Sequence, residues 1–265
     1  MQSTPTTLTI AGTDPTGGAG IQADLKTFQE LKSYGMSVIT SVIAQNTTGV
    51  QDIYHMPTSM IEAQLDSIID DIPLRAFKTG MIANTNMMKT IKRKITSLNA
   101  PYVMDPVMVT TSGSTLIDDN ARVFLRDELL PLTTIVTPNI PETEHLLDRK
   151  VNNEEDMMQA AKDIVKHFGV KAALIKGGHT EGDATDFLYD GKDVYSFSAD
   201  RVDTTNIHGA GCTLSAAITV YLSQGFTLYE AVEQAKKYIT LAIQYSFNLG
   251  QGSGPTNHWA PRIGR

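Results

Sequence analysis

The stretch TTLTIAGTDPTGGAGIQADLKTFQELK, residues 6–32, decides the fold class. It begins with a β-rich run, Thr6–Ala11, that leads directly into a loop with glycines at positions 12, 17, 18 and 20. In the following segment, Ala19–Lys32, apolar side chains recur at helical spacing on one face: Ile21, Leu25, Phe28 and Leu31. A strand, a glycine-rich turn and an amphipathic helix in this order predict one unit of an α/β fold.

The same alternation continues along the chain. It predicts further strands over Met36–Ala44, Ala76–Thr79, Tyr102–Asp105, Thr134–Thr137 and Ala172–Lys176. It predicts further helices over Thr58–Asp70, Thr85–Leu98, Asp118–Leu130, Glu154–Phe168, Cys212–Gln224 and Leu228–Phe247. A β-hairpin is expected over Asp186–Tyr189 and Val194–Phe197. Strands that alternate with helices imply a largely parallel sheet covered on both faces.

Composition and charge exclude several classes of protein. The 265 residues carry 22 basic and 29 acidic side chains, a net charge of −7, which argues against a nucleic-acid partner. No apolar run approaches the ~20 residues of a membrane span, and Met1–Pro5 lacks the charged, apolar start of a signal peptide. A single cysteine leaves no internal disulfide and fits a cytoplasmic location. Because no linker composition interrupts the chain, we expect one domain over residues 1–265.

Polar or glycine residues follow the predicted strands repeatedly. Six such strand ends are Gly12-Thr13-Asp14, Gln45-Asn46-Thr47, Lys78-Thr79-Gly80, Asp105-Pro106-Val107, Asn139-Ile140-Pro141-Glu142 and Lys176-Gly177-Gly178-His179. In open α/β sheets, ligands bind beyond the carboxyl ends of the strands. We therefore expect these segments to line one edge of the sheet.

The segment Asn206–Thr213 carries the strongest chemical signal. Its residues Gly209, Ala210 and Gly211 run directly into a predicted helix at Cys212. Bare backbone N–H groups at the positive end of a helix dipole bind anions, and phosphate above all. The same field favours a thiolate, so the sequence predicts a lowered pKa for Cys212.

The loop at positions 12–20 admits two interpretations. Gly12 and Gly17 have the outer spacing of a P-loop, but Gly18 stands where the lysine is required, and no Gly-x-Gly-x-x-Gly fingerprint fits. The loop is either a tight turn or a bare backbone that a small ligand can approach closely. In the second case Asp24, one turn into the helix, points at that ligand.

Four further residues suggest a phosphate and metal site. Asp105 and Glu142 offer oxygen ligands for Mg²⁺ held largely by water and phosphate, and Lys176 can meet a phosphate as a point charge. Asn139 and Glu142 have, equally, the spacing of a helix N-cap and its N3 partner. No zinc spacing exists, and His179 and His208 are interpreted as loop or hydrogen-bonding residues.

Together these residues resemble the vitamin-kinase branch of the ribokinase-like superfamily, and within it the bacterial hydroxymethylpyrimidine/phosphomethylpyrimidine kinases. Seven motifs occur in the expected order over nearly the whole chain. They are Ala11–Asp14 with Gly17–Asp24, Gln45–Thr47, Lys78–Met81, Asp105–Met108, Thr137–Asn139, Lys176–His179 and His208–Thr213. Cys212 stands where many sugar kinases of the superfamily have an Asp base, and some pyridoxal kinases share this cysteine.

The resemblance implies a three-layer α/β/α sandwich with a mostly parallel sheet, a homodimer, and the use of ATP and Mg²⁺. It implies substrate contacts from Gly12, Asp24, Gln45, Met81, Val107 and Cys212. It implies Asp105 and Glu142 near the metal, Asn139 and Lys176 near the nucleotide, and an anion hole over Gly209–Gly211. The expected activity is phosphorylation of hydroxymethylpyrimidine and then of its monophosphate in thiamine biosynthesis.

The amide of Gln45 favours a pyrimidine substrate. It presents an acceptor beside a donor, which matches the amino group and ring nitrogen of an aminopyrimidine. A pyridoxal kinase remains the alternative, and a non-catalytic binding protein is disfavoured by the set of reacting groups. The composition of Thr110–Thr115 suggests a lid loop over the site.

Overall fold

The computed structural model describes residues 4–108, 117–178 and 182–263. The suggested lid at Thr110–Thr115 and His179 lie outside these ranges. The strands are β1 Thr6–Ala11, β2 Tyr34–Ile39, β3 Ser41–Asn46, β4 Gly49–His55, β5 Ala76–Thr79, β6 Tyr102–Met104, β7 Ile135–Val136, β8 Ala173–Ile175, β9 Asp186–Tyr189 and β10 Val194–Phe197. The α-helices are α1 Gly20–Glu30, α2 Thr58–Ile69, α3 Thr85–Ile95, α4 Asp119–Phe124, α5 Ile140–Leu147, α6 Glu154–Phe168, α7 Ala210–Ser223 and α8 Leu228–Gln244.

The predicted α/β class with a mostly parallel sheet is confirmed. Eight strands form one sheet in the order β10-β9-β8-β7-β6-β5-β1-β2. The six from β8 to β2 are parallel, whereas β9 and β10 add an antiparallel edge. The carboxyl ends of the parallel strands therefore meet at one edge, as the sequence predicts.

The sheet is covered on both faces because alternate residues of its strands point to opposite sides. On β6, Tyr102 and Met104 join one apolar cluster with the helices α2, α3 and α6, whereas Val103 joins a second with α7 and α8. The predicted layering is thus present. None of the helices within the described ranges has the length and apolar character that a bilayer span requires.

The single strand predicted over Met36–Ala44 is wrong. The chain leaves the main sheet at Thr40, whose N–H donates to the Ala11 carbonyl at 2.9 Å. Beyond it β3 pairs only with β4, in a separate antiparallel hairpin that the sequence analysis missed. The sequence did not show the end of β2, because residues 36–44 are largely apolar throughout. A strand buried on both faces and a half-exposed hairpin strand cannot be distinguished by such a pattern.

The helical predictions differ mainly at their ends. The helix expected over Asp118–Leu130 is α-helical only to Phe124 and continues as a π turn, Leu125–Leu129, and a 3₁₀ turn, Leu130–Leu132. The helix α5 was not predicted as an element, although its N-cap pattern was recognised. By contrast, the bounds of α6 agree with the prediction.

Candidate active site

A cavity of about 700 Å³ opens at the carboxyl edge of the parallel strands. Every site residue that the sequence analysis singled out lines it: Gly12, Asp24, Gln45, Met81, Val107, Asp105, Asn139, Glu142, Lys176, Gly209, Ala210, Gly211 and Cys212. Gln45 lies on the hairpin strand β3, Asp24 lies on helix α1, and Gly209–Cys212 lie at the start of α7, whereas the others follow strands of the main sheet. The fold therefore brings together segments that are far apart in sequence.

The loop after β1 is organised around Asp14, a residue to which the sequence analysis gave no role. Its carboxylate accepts the N–H groups of Thr16 and Ala19 at 2.9 and 2.8 Å, and Oδ2 lies 2.8 Å from Nε2 of His208. Burial opposes ionisation, yet hydrogen bonds from His208, Gln45 and Thr16 hold the pKa of Asp14 well below its ordinary value. The predicted hydrogen-bonding role of His208 is confirmed, since it joins this loop to the entrance of α7.

The glycine run before α7 forms the predicted helix N-terminus. Gly209 has φ +78°, and a Cβ there would overlap the carbonyl oxygen of Gly18. The N–H of Ala210 donates to the Ile207 carbonyl at 3.0 Å, so this amide is already engaged. The amides of Gly211 and Cys212 lie in the first turn, which has no preceding helical carbonyl to accept them. We call residues 209–212 the anion cradle.

The predicted lowering of the Cys212 pKa is wrong. Cys212 is partly buried at the cavity wall, and burial raises the pKa of its thiol to about 12, although Lys78 and the N–H of Gly20 oppose this. Desolvation of the thiolate outweighs the helix dipole and the neighbouring cation here. In the free protein the thiol is therefore neutral at pH 7.

A fully buried ion pair lies beneath this first turn. Nζ of Lys78 is 2.8 Å from Oδ1 of Asp24, 2.8 Å from Oγ of Ser215 and 3.5 Å from the Cys212 carbonyl oxygen. Thr9 donates to the second Asp24 oxygen at 2.6 Å. Burial raises the pKa of Asp24 and would lower that of Lys78, but the Asp24 carboxylate raises the Lys78 pKa above its ordinary value. The 2.8 Å contact between the two groups favours the charged pair.

This pairing limits what Asp24 can do for a ligand. Both Asp24 oxygens already accept hydrogen bonds, one from Lys78 and one from Thr9. A direct contact between Asp24 and the substrate therefore stays a prediction. Lys78 belongs to the Lys78–Met81 motif, but the motif alone does not mark it as a site residue. Its sequence signal was a lysine inside the buried strand β5, where a charge requires a partner.

The other end of the cavity holds Asp105, Glu142 and Lys176. Nζ of Lys176 lies 3.0 Å from Oδ1 of Asp105 and 3.9 Å from Oε2 of Glu142. Burial would lower the pKa of Lys176, but the two carboxylates raise it above its ordinary value. A Cβ on Gly211 would stand 3.2 Å from this ammonium, so the anion cradle faces the cationic group directly.

Asn139 and Glu142 form a helix cap, one of the two interpretations that the sequence allowed. Each backbone N–H donates to the other side chain at 2.8 Å, which makes a capping box for α5. Burial raises the pKa of Glu142 to about 7, with Lys176 opposing. Capping does not exclude a site role, because both residues also line the cavity.

The donor set fits a magnesium ion bound mainly through water and phosphate. The Lys176 ammonium between the two carboxylates shows that this position attracts a cation. Across residues 4–108, 117–178 and 182–263, no group of three or more acidic, histidine or cysteine side chains forms a cage for a metal. Mg²⁺ commonly takes one or two carboxylates and completes its shell with water and nucleotide oxygens.

Comparison with known proteins identifies the family. A family model for phosphomethylpyrimidine kinase matches residues 14–257. The chain is 47% identical to the hydroxymethylpyrimidine/phosphomethylpyrimidine kinase of Staphylococcus aureus strain MRSA252 over 256 residues, which are 96% of this chain and 93% of that protein. The chain belongs to the phosphomethylpyrimidine kinase family.

Solved structures agree with this family and its fold. The phosphomethylpyrimidine kinase of Clostridium difficile 630 is similar to the chain at 42% identity and TM-score 0.81, over 90% of this chain and 99% of that one. A Bacillus subtilis pyridoxal kinase solved as an ADP complex has 39% identity and TM-score 0.91, over 98% and 100% of the two chains. The expected ribokinase-like α/β sandwich is thus confirmed.

A second buried ion pair in this kinase fold was missed by the sequence analysis. Nζ of Lys236 lies 2.8 Å from Oδ2 of Asp186, and the other Asp186 oxygen accepts the N–H of Gly177 at 2.9 Å. Both charged residues line the cavity beside apolar Val202 and Ile243. The sequence does not distinguish Lys236, because several helices of this chain carry lysines, most of which face solvent.

Proposed function

We propose that this protein is an ATP-dependent kinase that phosphorylates hydroxymethylpyrimidine, and then its monophosphate to the diphosphate, in thiamine biosynthesis. One observation carries the proposal: a single cavity is lined by an amide suited to an aminopyrimidine, a lone thiol, an anion cradle and a lysine between two carboxylates. The family membership and the names of the relatives support the same reaction.

The pyrimidine is proposed to bind beneath the hairpin. Gln45 offers its carbonyl oxygen to the amino group and an amide N–H to the ring nitrogen. Met81 and Val107 supply apolar contacts for the ring. A Cβ on Gly12 would stand 3.1 Å from the ends of both Ile43 and Met81, so glycine keeps room for a ligand at this point.

In the first step the substrate hydroxyl oxygen attacks the γ-phosphorus as the bond to ADP breaks. Cys212 is proposed to take the hydroxyl proton. Phosphoryl transfer depends mostly on positioning and charge neutralisation, so a weakly populated thiolate suffices. The amides of Gly211 and Cys212, with Lys176, would stabilise the charge on the transferred group.

Asp105 and Glu142 are proposed to hold Mg²⁺ when nucleotide binds, and Asn139 with Lys176 to lie beside the nucleotide phosphates. The bound ion would supply charge neutralisation for the nucleotide phosphates. Lys176 would then leave its carboxylate partners for the phosphates. In the second step the acceptor is already an anion, so a base matters less than the cradle.

Replacing Gln45 by alanine tests substrate choice. We expect the Michaelis constant for hydroxymethylpyrimidine to rise by an amount worth ~1–3 kcal/mol, because a hydrogen-bonding edge loses its partner. Wild-type and variant rates are measured with the pyrimidine, its monophosphate and pyridoxal under identical ATP. An unchanged pyrimidine Michaelis constant in the variant would refute the pairing.

Pyridoxal kinase activity is the second candidate, favoured by the likeness to the Bacillus subtilis enzyme. In that case wild-type protein turns over pyridoxal faster than the pyrimidine in the same assay. The absence of ATP consumption with every alcohol would leave only a binding function. The residues 1–265 are proposed to act as one domain.

We also propose that the protein acts in the cytoplasm, where ATP is available. It is proposed to form a homodimer through the hairpin of β3 and β4. Val42 and Tyr54 are cross-strand partners that expose 47% and 63% of their surface, so they form an adjacent apolar pair on the hairpin. Replacing both by aspartate should turn a dimer into a monomer in light scattering. A wild-type protein that is already monomeric at micromolar concentration would overturn this assembly.

A further inference from the structure

The tip of the hairpin that carries Gln45 is held by a distant part of the chain. Thr47 lies in the turn between β3 and β4, and its Oγ1 accepts the backbone N–H groups of Gln251 and Gly252 at 3.1 and 3.2 Å. One hydroxyl oxygen thus fixes two consecutive amides across about two hundred residues of sequence.

Two glycines make this contact possible. Gly250 has φ +85°, and a Cβ there would overlap the Thr47 side chain. A Cβ on Gly252 would overlap the Thr47 carbonyl oxygen. The backbone of residues 250–255, here called the glycine strap, therefore closes around Thr47 with no space for larger residues at these positions.

The other end of the strap contacts the entrance to the anion cradle. The N–H of Gly254 donates to Oδ1 of Asn206 at 3.0 Å, and its carbonyl accepts the N–H of His208 at 3.1 Å. His208 and Pro255 form an isolated bridge, and His208 directly precedes Gly209 of the cradle. The strap thus touches the substrate hairpin at one end and the phosphate-binding turn at the other.

The hairpin needs such support. It pairs with no strand of the main sheet, and its register shifts between Ala44 and Gln45, next to the recognising amide. A two-stranded hairpin alone is only marginally stable in water. At its base the hairpin is joined to the loop after β1, because the N–H of Thr13 donates to the Ser41 carbonyl at 2.9 Å and the N–H of Ile43 donates to Oγ1 of Thr13 at 3.0 Å. The contact between Thr47 and the strap adds support at its tip, two residues beyond Gln45.

We propose that the glycine strap couples the two halves of the active site, and that Thr47 is a positioning residue that sets Gln45 relative to the anion cradle. The inference rests on the proposed pyrimidine kinase activity. It assigns to Thr47 an effect on binding of the alcohol substrate, with no direct contact to the reacting atoms.

The test compares Thr47→Val, which keeps the shape but removes the acceptor, with Thr47→Ser, which keeps the acceptor. For Thr47→Val we expect the Michaelis constant for hydroxymethylpyrimidine to rise on the order of tenfold, because two hydrogen bonds are lost. The turnover number and the Michaelis constant for ATP should stay within about twofold, and Thr47→Ser should behave like wild type. Gly252→Ala should give the same phenotype, and the double variant should fall short of additivity.

Amide hydrogen exchange supplies a readout that needs no substrate. Thr47→Val should accelerate exchange at Gln251, Gly252 and along β3, with little change in α6. If wild type does not phosphorylate the pyrimidine, the proposed function fails. The exchange rates alone then test whether Thr47 holds the hairpin to the glycine strap. The positioning role would be overturned by unchanged exchange or by an unchanged pyrimidine Michaelis constant. It would also be overturned if turnover and substrate binding fell equally and thermal stability decreased.

Discussion

Replacing Lys78 by methionine tests how the floor of the site is held together. Its ammonium and the Asp24 carboxylate are both fully buried and lie 2.8 Å apart. Methionine fills a similar volume but leaves a carboxylate with no counter-charge in a low-dielectric interior. Breaking a buried pair in this way costs about 3–5 kcal/mol. That loss is a large share of a total stability of roughly 5–15 kcal/mol.

Urea and thermal unfolding measure the effect. A domain near this size loses ~2–4 °C of Tm per kcal/mol, so the variant should melt ~6–20 °C below wild type. The double variant Lys78→Met with Asp24→Asn should recover most of the loss, because neutral replacement of both partners removes the stranded charge. Thr9 can still donate to the asparagine oxygen.

Lys237→Met is the matched control. Lys237 pairs with Glu233 at 2.9 Å, but its side chain is 61% exposed, so this substitution should cost less than ~1 kcal/mol. Equal losses for the two lysine variants would refute the assignment of a charged buried pair. A double variant as unstable as Lys78→Met would show instead that lost packing, not stranded charge, causes the defect.

Two further predictions address the thiol and a buried histidine. Cys212→Ala should lose most phosphorylation of the free alcohol, whereas calorimetry should show that nucleotide binding is retained. The wild-type rate should increase with pH through and above the neutral range, because burial raises the thiol pKa to about 12. Near wild-type turnover by the variant would remove Cys212 from the base role. Burial lowers the pKa of His258 from 6.5 to about 4, so the unfolded chain binds its proton more tightly and stability falls as pH drops between these values. Wild type should therefore lose ~3 kcal/mol more than His258→Gln between pH 7 and 4 in urea unfolding, and parallel stability curves for the two proteins would contradict this.

Much of the fold was readable because its signals are local. The bounds of α6 follow from Asn153, which caps its first turn, and Gly169, which ends it at φ +69°. The split between β2 and β3 was not readable. It depends on Thr40 meeting Ala11 and Met81 across the fold, and no pattern within a short window reports such a contact.

The sequence alone determined most strands and helices around the main sheet, the polar strand ends and the position of the anion cradle, because periodicity, glycine and helix N-termini act over a few residues. Only the tertiary structure decided the charge state of the groups placed there. Lys78 meets Asp24 across 54 residues, and the thiol of Cys212 is neutral because burial removes water from it. Desolvation and Coulomb interactions depend on distances through space, and those distances exist only once the chain has folded.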